Sequence, residues 1–369
     1  MALPDRLNPA LKHLPVYQPG RPLEEVAREL GEPVDHLVKL ASNENPIGPS
    51  PLAIQAMHQA AGAMHRYPDG SAFYLRQALA QHLAVRPNNL VFGNGSNEII
   101  EFVARALLGP GDEVVMSQYC FAIYPIVTLM MGAKVVTAPS RNFGHDLSAM
   151  LRALTPRTKI VFVANPNNPT GTLAPAEDVL ALLEGLPNDV LLVMDEAYIE
   201  FLDAPLDLLH EIREGRRHNL LLMRTFSKIY GLAGLRVGYG VCHSTLAGAL
   251  EAVRQPFNLN AMAQAAAMAA LADAPHVERT RAQNRNGLAE LEGALKQRGI
   301  EFVHSHANFI MAQVGDGQRV FEGMQKEGVI TRPMGSYALP EWIRISVGTD
   351  TENRRCIAAL DAVRMAARS

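Results

Sequence analysis

Leu220-Leu221-Leu222-Met223-Arg224-Thr225-Phe226-Ser227-Lys228-Ile229-Tyr230-Gly231-Leu232-Ala233-Gly234-Leu235-Arg236 is the stretch that decides how this chain is read. Four apolar residues run straight into hydroxyls, a lysine and glycines. That order predicts a covered strand that delivers polar groups to a site beyond its carboxyl end. Lys228, set between Phe226 and Tyr230 on a glycine-rich turn, is expected to be partly desolvated, which lowers an ammonium pKa and leaves an amine able to attack a carbonyl. Thr225, Ser227 and Arg236 are donors suited to a phosphate. Upstream, the apolar run Val190-Leu191-Leu192-Val193-Met194 ends in Asp195. A carboxylate at the end of a covered strand needs a cationic partner, because burying it alone costs several kcal/mol.

From 90 to about 241 the chain alternates apolar run, glycine or proline turn, and helical pattern. Strands are predicted at 90–93, 113–116, 134–137, 159–164, 190–194, 220–224 and 235–241, the pattern of an α/β protein with a mostly parallel sheet flanked by helices. Lys228, Asp195 and the segment Asn165-Pro166-Asn167-Asn168-Pro169-Thr170-Gly171 all follow strand ends, so they are expected to meet in one crevice. Residues 1–36 read as an N-terminal arm with a helix over 23–30. Ser50-Pro51 opens a helix whose apolar positions Ile54, Met57 and Ala61 recur at helical spacing. Beyond Pro256 a long helix over 275–298 leads into short strands and two further helices. The expected division is an arm (1–36), a large domain (37–256) and a smaller C-terminal α+β domain (257–369).

Composition narrows the function. The chain has 369 residues, 48% hydrophobic and 19% charged, with a net charge of −3. It therefore carries no basic footprint for nucleic acid and no polybasic membrane patch. No apolar stretch is long enough to span a bilayer. Cys120, Cys242 and Cys356 lie far apart, which indicates neither a disulfide framework nor a zinc site and fits a reducing cytoplasm. His304 and His306 alternate on an expected strand with no ligand-spaced partner, so no metal is expected. In Gly93-Asn94-Gly95-Ser96-Asn97-Glu98 a strand turns into a helix, and backbone N–H groups at such a start suit an anion. Taken alone, this segment reads equally as an N-cap turn, and it lacks the third glycine of a dinucleotide fingerprint.

Asp195-Glu196-Ala197-Tyr198, Ser227-Lys228, Arg236 and the 165–171 segment together resemble the pyridoxal-phosphate-dependent aminotransferases of fold type I. More narrowly, Leu40-Ala41-Ser42-Asn43-Glu44-Asn45-Pro46, Arg66-Tyr67-Pro68-Asp69 and Gly93-Asn94-Gly95-Ser96 resemble the histidinol-phosphate aminotransferase family. The resemblance runs from about Tyr17 to the C-terminal helix.

It implies pyridoxal 5'-phosphate as cofactor, linked to Lys228, with Asp195 on its ring nitrogen and Asn168 and Tyr198 on its phenolic oxygen. Gly95, Ser96, Asn97, Thr225, Ser227 and Arg236 would hold its phosphate, and Phe121 would stack on the ring where many relatives place a tyrosine. Asn97 stands where relatives commonly have aspartate. Tyr124 reads equally as a core aromatic. Tyr67 would reach the neighbouring subunit's phosphate, which makes a homodimer with shared active sites part of the expectation. Tyr17, Asn43, Arg332 and Arg344 would hold the substrate. The implied reaction takes histidinol phosphate and 2-oxoglutarate to imidazole acetol phosphate and L-glutamate, in histidine biosynthesis. The segment 119–124 departs from the Pro-Thr-Tyr pattern of many relatives, which leaves an aromatic amino-acid aminotransferase as the alternative. A phosphothreonine decarboxylase-like lyase and a non-catalytic cofactor-binding regulator stand further off.

Overall fold

The computed structural model describes residues 20–366 together with Leu7, Ala10, Leu11, Leu14 and Val16. Tyr17 lies outside the described residues. Seven strands form the central sheet, in the order Leu90–Asn94, Val237–Cys242, Leu220–Thr225, Leu191–Asp195, Thr158–Ala164, Glu113–Ser117, Lys134–Ala138. All are mutually parallel except Val237–Cys242, which runs antiparallel to both neighbours. The apolar runs read from the sequence are these strands. Leu191–Asp195 and Leu220–Thr225 are buried along their whole length, because helices cover both faces of the sheet. The parallel direction places Asp195 and Thr225 together at the carboxyl-end edge.

Two hydrophobic clusters sandwich the sheet. On one side the helix Pro51–Ala61 packs on Ala261–Ala272. Of the expected apolar positions, Met57 packs against the core but Ile54 does not. Ala53 is fully buried, whereas Ile54 is 39% exposed and Leu52 45%. The partner helix offers only Ala263, Ala266, Ala267 and Ala270 at the contact, so small faces meet closely and the larger apolar residues turn outward.

The long helix Ala274–Gln297 leads to an antiparallel sheet ordered Phe302–Val303, Phe309–Gln313, Trp342–Ser346, Arg332–Pro333, covered by Gly317–Lys326 and Asp350–Ala366. Val38–Lys39 pairs in parallel with Val329–Ile330, and Val38 and Leu40 join the core of this C-terminal part. The chain thus touches the C-terminal core before it enters the central sheet. The strand expected around His304 and His306 stops at Val303. His304 Nδ1 instead lies 2.8 Å from Glu292. No three His, Cys, Asp or Glu side chains among the described residues could hold a metal.

At the amino-end edge, away from the strand ends that carry Asp195 and Thr225, the buried Glu113 carboxylate accepts from Thr155 Oγ1 at 2.6 Å and from Arg157 Nη2 at 2.8 Å. These donors, the threonine foremost, hold its pKa down to about 2. A carboxyl group with a depressed folded-state pKa contributes stability above its unfolded value near 4.3 and loses it as pH falls through about 2. Glu113→Gln is therefore expected to lower Tm by roughly 2–4 °C at pH 7 and by progressively less below pH 4, as read by calorimetry.

Candidate active site

Beyond the carboxyl-end edge of the sheet opens a cleft of about 200 Å³. Lys228, Asp195, Asn168, Tyr198, Phe121, Ser96, Asn97, Thr225, Ser227, Arg236, Asn43, Arg332 and Arg344 all line it. The parallel topology brings this about, since the segments after three successive strands end on the same side.

Lys228 reaches in from the loop after Leu220–Thr225. Its Nζ donates to the carbonyls of Ser42 and Asn43, both at 3.3 Å, and sits 5.6 Å from the centre of the Tyr198 ring. Loss of water, reinforced by the Arg344 charge, brings its pKa down to about 8. Gly231 lets this loop approach the 48–49 backbone. Its φ is +68°, and a Cβ there would run into Gly48 and Pro49.

Asp195 is 6% exposed. Its Oδ2 accepts from the Tyr124 hydroxyl at 2.6 Å and its Oδ1 from the Ala197 N–H at 3.2 Å. Burial pushes its pKa up to about 6 against these bonds and the pull of Lys228. The carboxylate is thus held in place while still short of positive charge. Tyr124 is itself fully buried, stacked on Phe162 at 4.4 Å. It is both a core aromatic and the orienting donor of the site. Its place one helical turn after Phe121 is the signal that could have found it.

Tyr198 accepts from Asn43 Nδ2 at 3.0 Å, and burial raises its pKa to about 12, so it remains a phenol. Asn168 follows the cis Asn165–Pro166 peptide. Its Oδ1 accepts from Arg344 Nη1 at 2.6 Å. Arg344 Nη2 donates to the Ala41 carbonyl at 3.1 Å, and Phe309 underlies the guanidinium. Arg332 and Arg344 are direct partners on adjacent antiparallel strands, so both project to one side. Two cations placed opposite each other on a cleft wall favour an anion between them.

At the other end of the cleft, the helix Ser96–Leu107 begins at Gly95, φ +79°, and no side chain caps it. A Cβ on Gly95 would collide with the Arg236 guanidinium. Arg236 has φ +58°, a left-handed conformation that costs a non-glycine residue about 1–2 kcal/mol. Its Nη1 lies 3.4 Å from Ser227 Oγ. The Ser96 and Asn97 amides, Thr225 and Ser227 hydroxyls and Arg236 make a cradle of donors without a carboxylate, which suits a phosphate dianion. Asp195 asks for a cation about mid-cleft, and Lys228 offers an amine between. The residues present therefore fit pyridoxal phosphate.

Tyr67 is not among the lining residues. It is 82% exposed and stacks on Phe257 at 4.8 Å.

The aminotransferase class I and II family model matches residues 35–360. A histidinol-phosphate aminotransferase from Akkermansia muciniphila is 47% identical over 364 residues, covering 98% of this chain and all of that one. One from Nitrosococcus oceani is 48% identical over 94% of each chain. Among solved structures, histidinol-phosphate aminotransferase from Sinorhizobium meliloti in complex with pyridoxal-5'-phosphate superposes with a TM-score of 0.90 at 31% identity, over 98% of each chain. Aspartate aminotransferase from Thermus thermophilus with maleate shares the fold, with a TM-score of 0.82 at 24% identity.

Proposed function

We propose that this chain, which belongs to the class I and II aminotransferases and within them groups with the histidinol-phosphate aminotransferases, transfers the amino group of L-histidinol phosphate to 2-oxoglutarate with pyridoxal 5'-phosphate as cofactor. The products are imidazole acetol phosphate and L-glutamate, a step of histidine biosynthesis. The observation that carries this reading is the joint placement of Lys228 and Asp195 on one cleft that also holds Ser96, Asn97, Ser227 and Arg236 and the Arg332–Arg344 pair.

Bound pyridoxal phosphate supplies a carbonyl for a primary amine and a ring that accepts electron density when its nitrogen is protonated. The protein supplies the rest. Lys228 holds the cofactor and, once its amine is free, carries a proton to and from the substrate carbon, a task suited to a pKa brought near 8. Asp195, oriented by Tyr124, holds the positive ring nitrogen. Asn168 and Tyr198 would hold the phenolic oxygen, and Phe121 would stack on the ring. Arg332, Arg344 and Asn43 take the substrate's anionic end, with Tyr17 as a further member.

The division into an arm, a cofactor-binding part and a smaller C-terminal part belongs to the same reading, as does a cytoplasmic homodimer. Tyr67, exposed and stacked on the exposed Phe257, fits a residue that serves the cleft of a second copy. Light scattering of the purified protein tests the dimer, and a monomer would remove it.

A steady-state panel of histidinol phosphate, phenylalanine, tyrosine and phosphothreonine tests the substrate. Histidinol phosphate is expected to lead in kcat/KM. A tenfold lead for phenylalanine, about 1.4 kcal/mol of preference, would make this an aromatic aminotransferase instead. The cradle has its own test. Gly95→Ala, which forces a strained φ and displaces Arg236, is expected to weaken pyridoxal phosphate binding about tenfold or more in a fluorescence titration.

A further inference from the structure

Below the cleft floor, on the sheet face that carries Leu220 and Leu222, lies a buried charge cluster with no place in the chemistry above. Arg224 is 9% exposed and precedes Lys228 by four residues. Its Nε donates to Glu196 Oε2 at 2.8 Å, and Glu196 directly follows Asp195. Glu200, two residues past Tyr198, is a second buried carboxyl group within the electrostatic reach of the same guanidinium. Its Oε2 is buried and has no hydrogen-bond partner among the described residues. Tyr239 faces Arg224 across the ladder. Arg281, on the long helix, donates to the Glu200 carbonyl at 2.8 Å.

We propose that Arg224, Glu196 and Glu200 are positioning residues: one buried guanidinium, bonded to Glu196 with the Glu200 carboxyl group near it, braces the segment that carries Asp195 and Tyr198 against the strand that delivers Lys228. The inference rests on the functional reading above. A backbone bond from Glu196 N–H to the Met223 carbonyl at 2.8 Å already joins the two segments, and the side-chain cluster adds a second tie further along. Such bracing matters because misplacing a reacting group by an ångström can cost about 100-fold in rate. Charge balance supports it. Two ionised carboxylates against the one buried guanidinium would leave a net negative charge that Arg281, itself paired with Glu278, offsets only in part. Glu196 makes the direct bond, and burial lifts Glu200 to about 7, which lets it carry the surplus proton near neutrality.

The test compares Arg224→Lys, Glu196→Gln and the double change Glu196→Gln/Glu200→Gln with Glu113→Gln, the isosteric change of a buried carboxylate with exposed cationic partners at the opposite sheet edge. For each, kcat and KM for the amino donor are measured below Tm, with the Kd of pyridoxal phosphate for the cofactor-free protein. Arg224→Lys and Glu196→Gln are expected to lose about tenfold in kcat with KM within about twofold, and to weaken Kd about tenfold. The double change should lose about 100-fold, because Glu200 can no longer take over the guanidinium. Glu113→Gln should lower Tm alone. The proposal is overturned if the cluster variants behave like Glu113→Gln, with kcat and Kd within about twofold of the parent. Should Arg224→Lys not fold, Glu196→Gln decides. A parent protein that binds pyridoxal phosphate at Lys228 but does not turn over histidinol phosphate would end the functional reading, and Kd would still decide this one.

Discussion

Lys228→Ala is expected to abolish turnover, with kcat down by about 10⁴-fold, because one change removes both the covalent anchor and the proton carrier. The folded protein should survive it. Among the described residues Lys228 makes two long bonds to backbone carbonyls, and removing a desolvated amine relieves a burial cost. Its pKa provides an independent reading. Burial brings the amine down to about 8, so the rate at which the cofactor-free protein captures pyridoxal phosphate should rise with pH and level off near 8. An unperturbed lysine would level off near 10.4. Stopped-flow absorbance across pH 6 to 10 distinguishes the two.

Asp195→Asn should cost about 100- to 1000-fold in kcat, because the ring nitrogen loses the fixed charge that keeps it protonated. The same variant is expected to stabilise the cofactor-free protein. A carboxyl group raised on folding binds its proton more tightly in the native state, so stability falls as pH rises from about 4 towards 6 and stays lower above that. Asparagine has no such charge to bury. Its Tm should exceed that of the parent above pH 6, by the equivalent of a few kcal/mol, and the difference should fade below pH 4. An active site held at the expense of stability behaves in this way. Equal Tm values at all pH would show that the carboxylate is already compensated without the cofactor.

The central sheet was legible because a strand covered on both faces has no polar side to hide, so Leu220–Thr225 and Leu191–Asp195 appear as unbroken apolar runs ending in polar residues. The convergence of Lys228, Asp195 and Asn168 followed from strand direction alone. Burial of the Pro51–Ala61 helix was not legible, since spacing identifies an apolar stripe but not that an alanine face on Ala261–Ala272 would select Ala53 over Ile54. Tyr124 was hidden by its double use, because a core aromatic and a hydroxyl bonded to Asp195 look alike in sequence. The Arg224–Glu196 pair was hidden by distance, as its partners are 28 residues apart and meet only across the ladder. Tyr67 lies outside the cleft of its own chain.

The account depends most directly on where pyridoxal phosphate becomes attached. Reduction of the cofactor-loaded protein with borohydride, followed by peptide mass analysis, is expected to fix one pyridoxyl group per chain on the peptide that contains Lys228, with no label in Lys228→Ala. A label on another lysine, or none on a protein with bound cofactor, would contradict it.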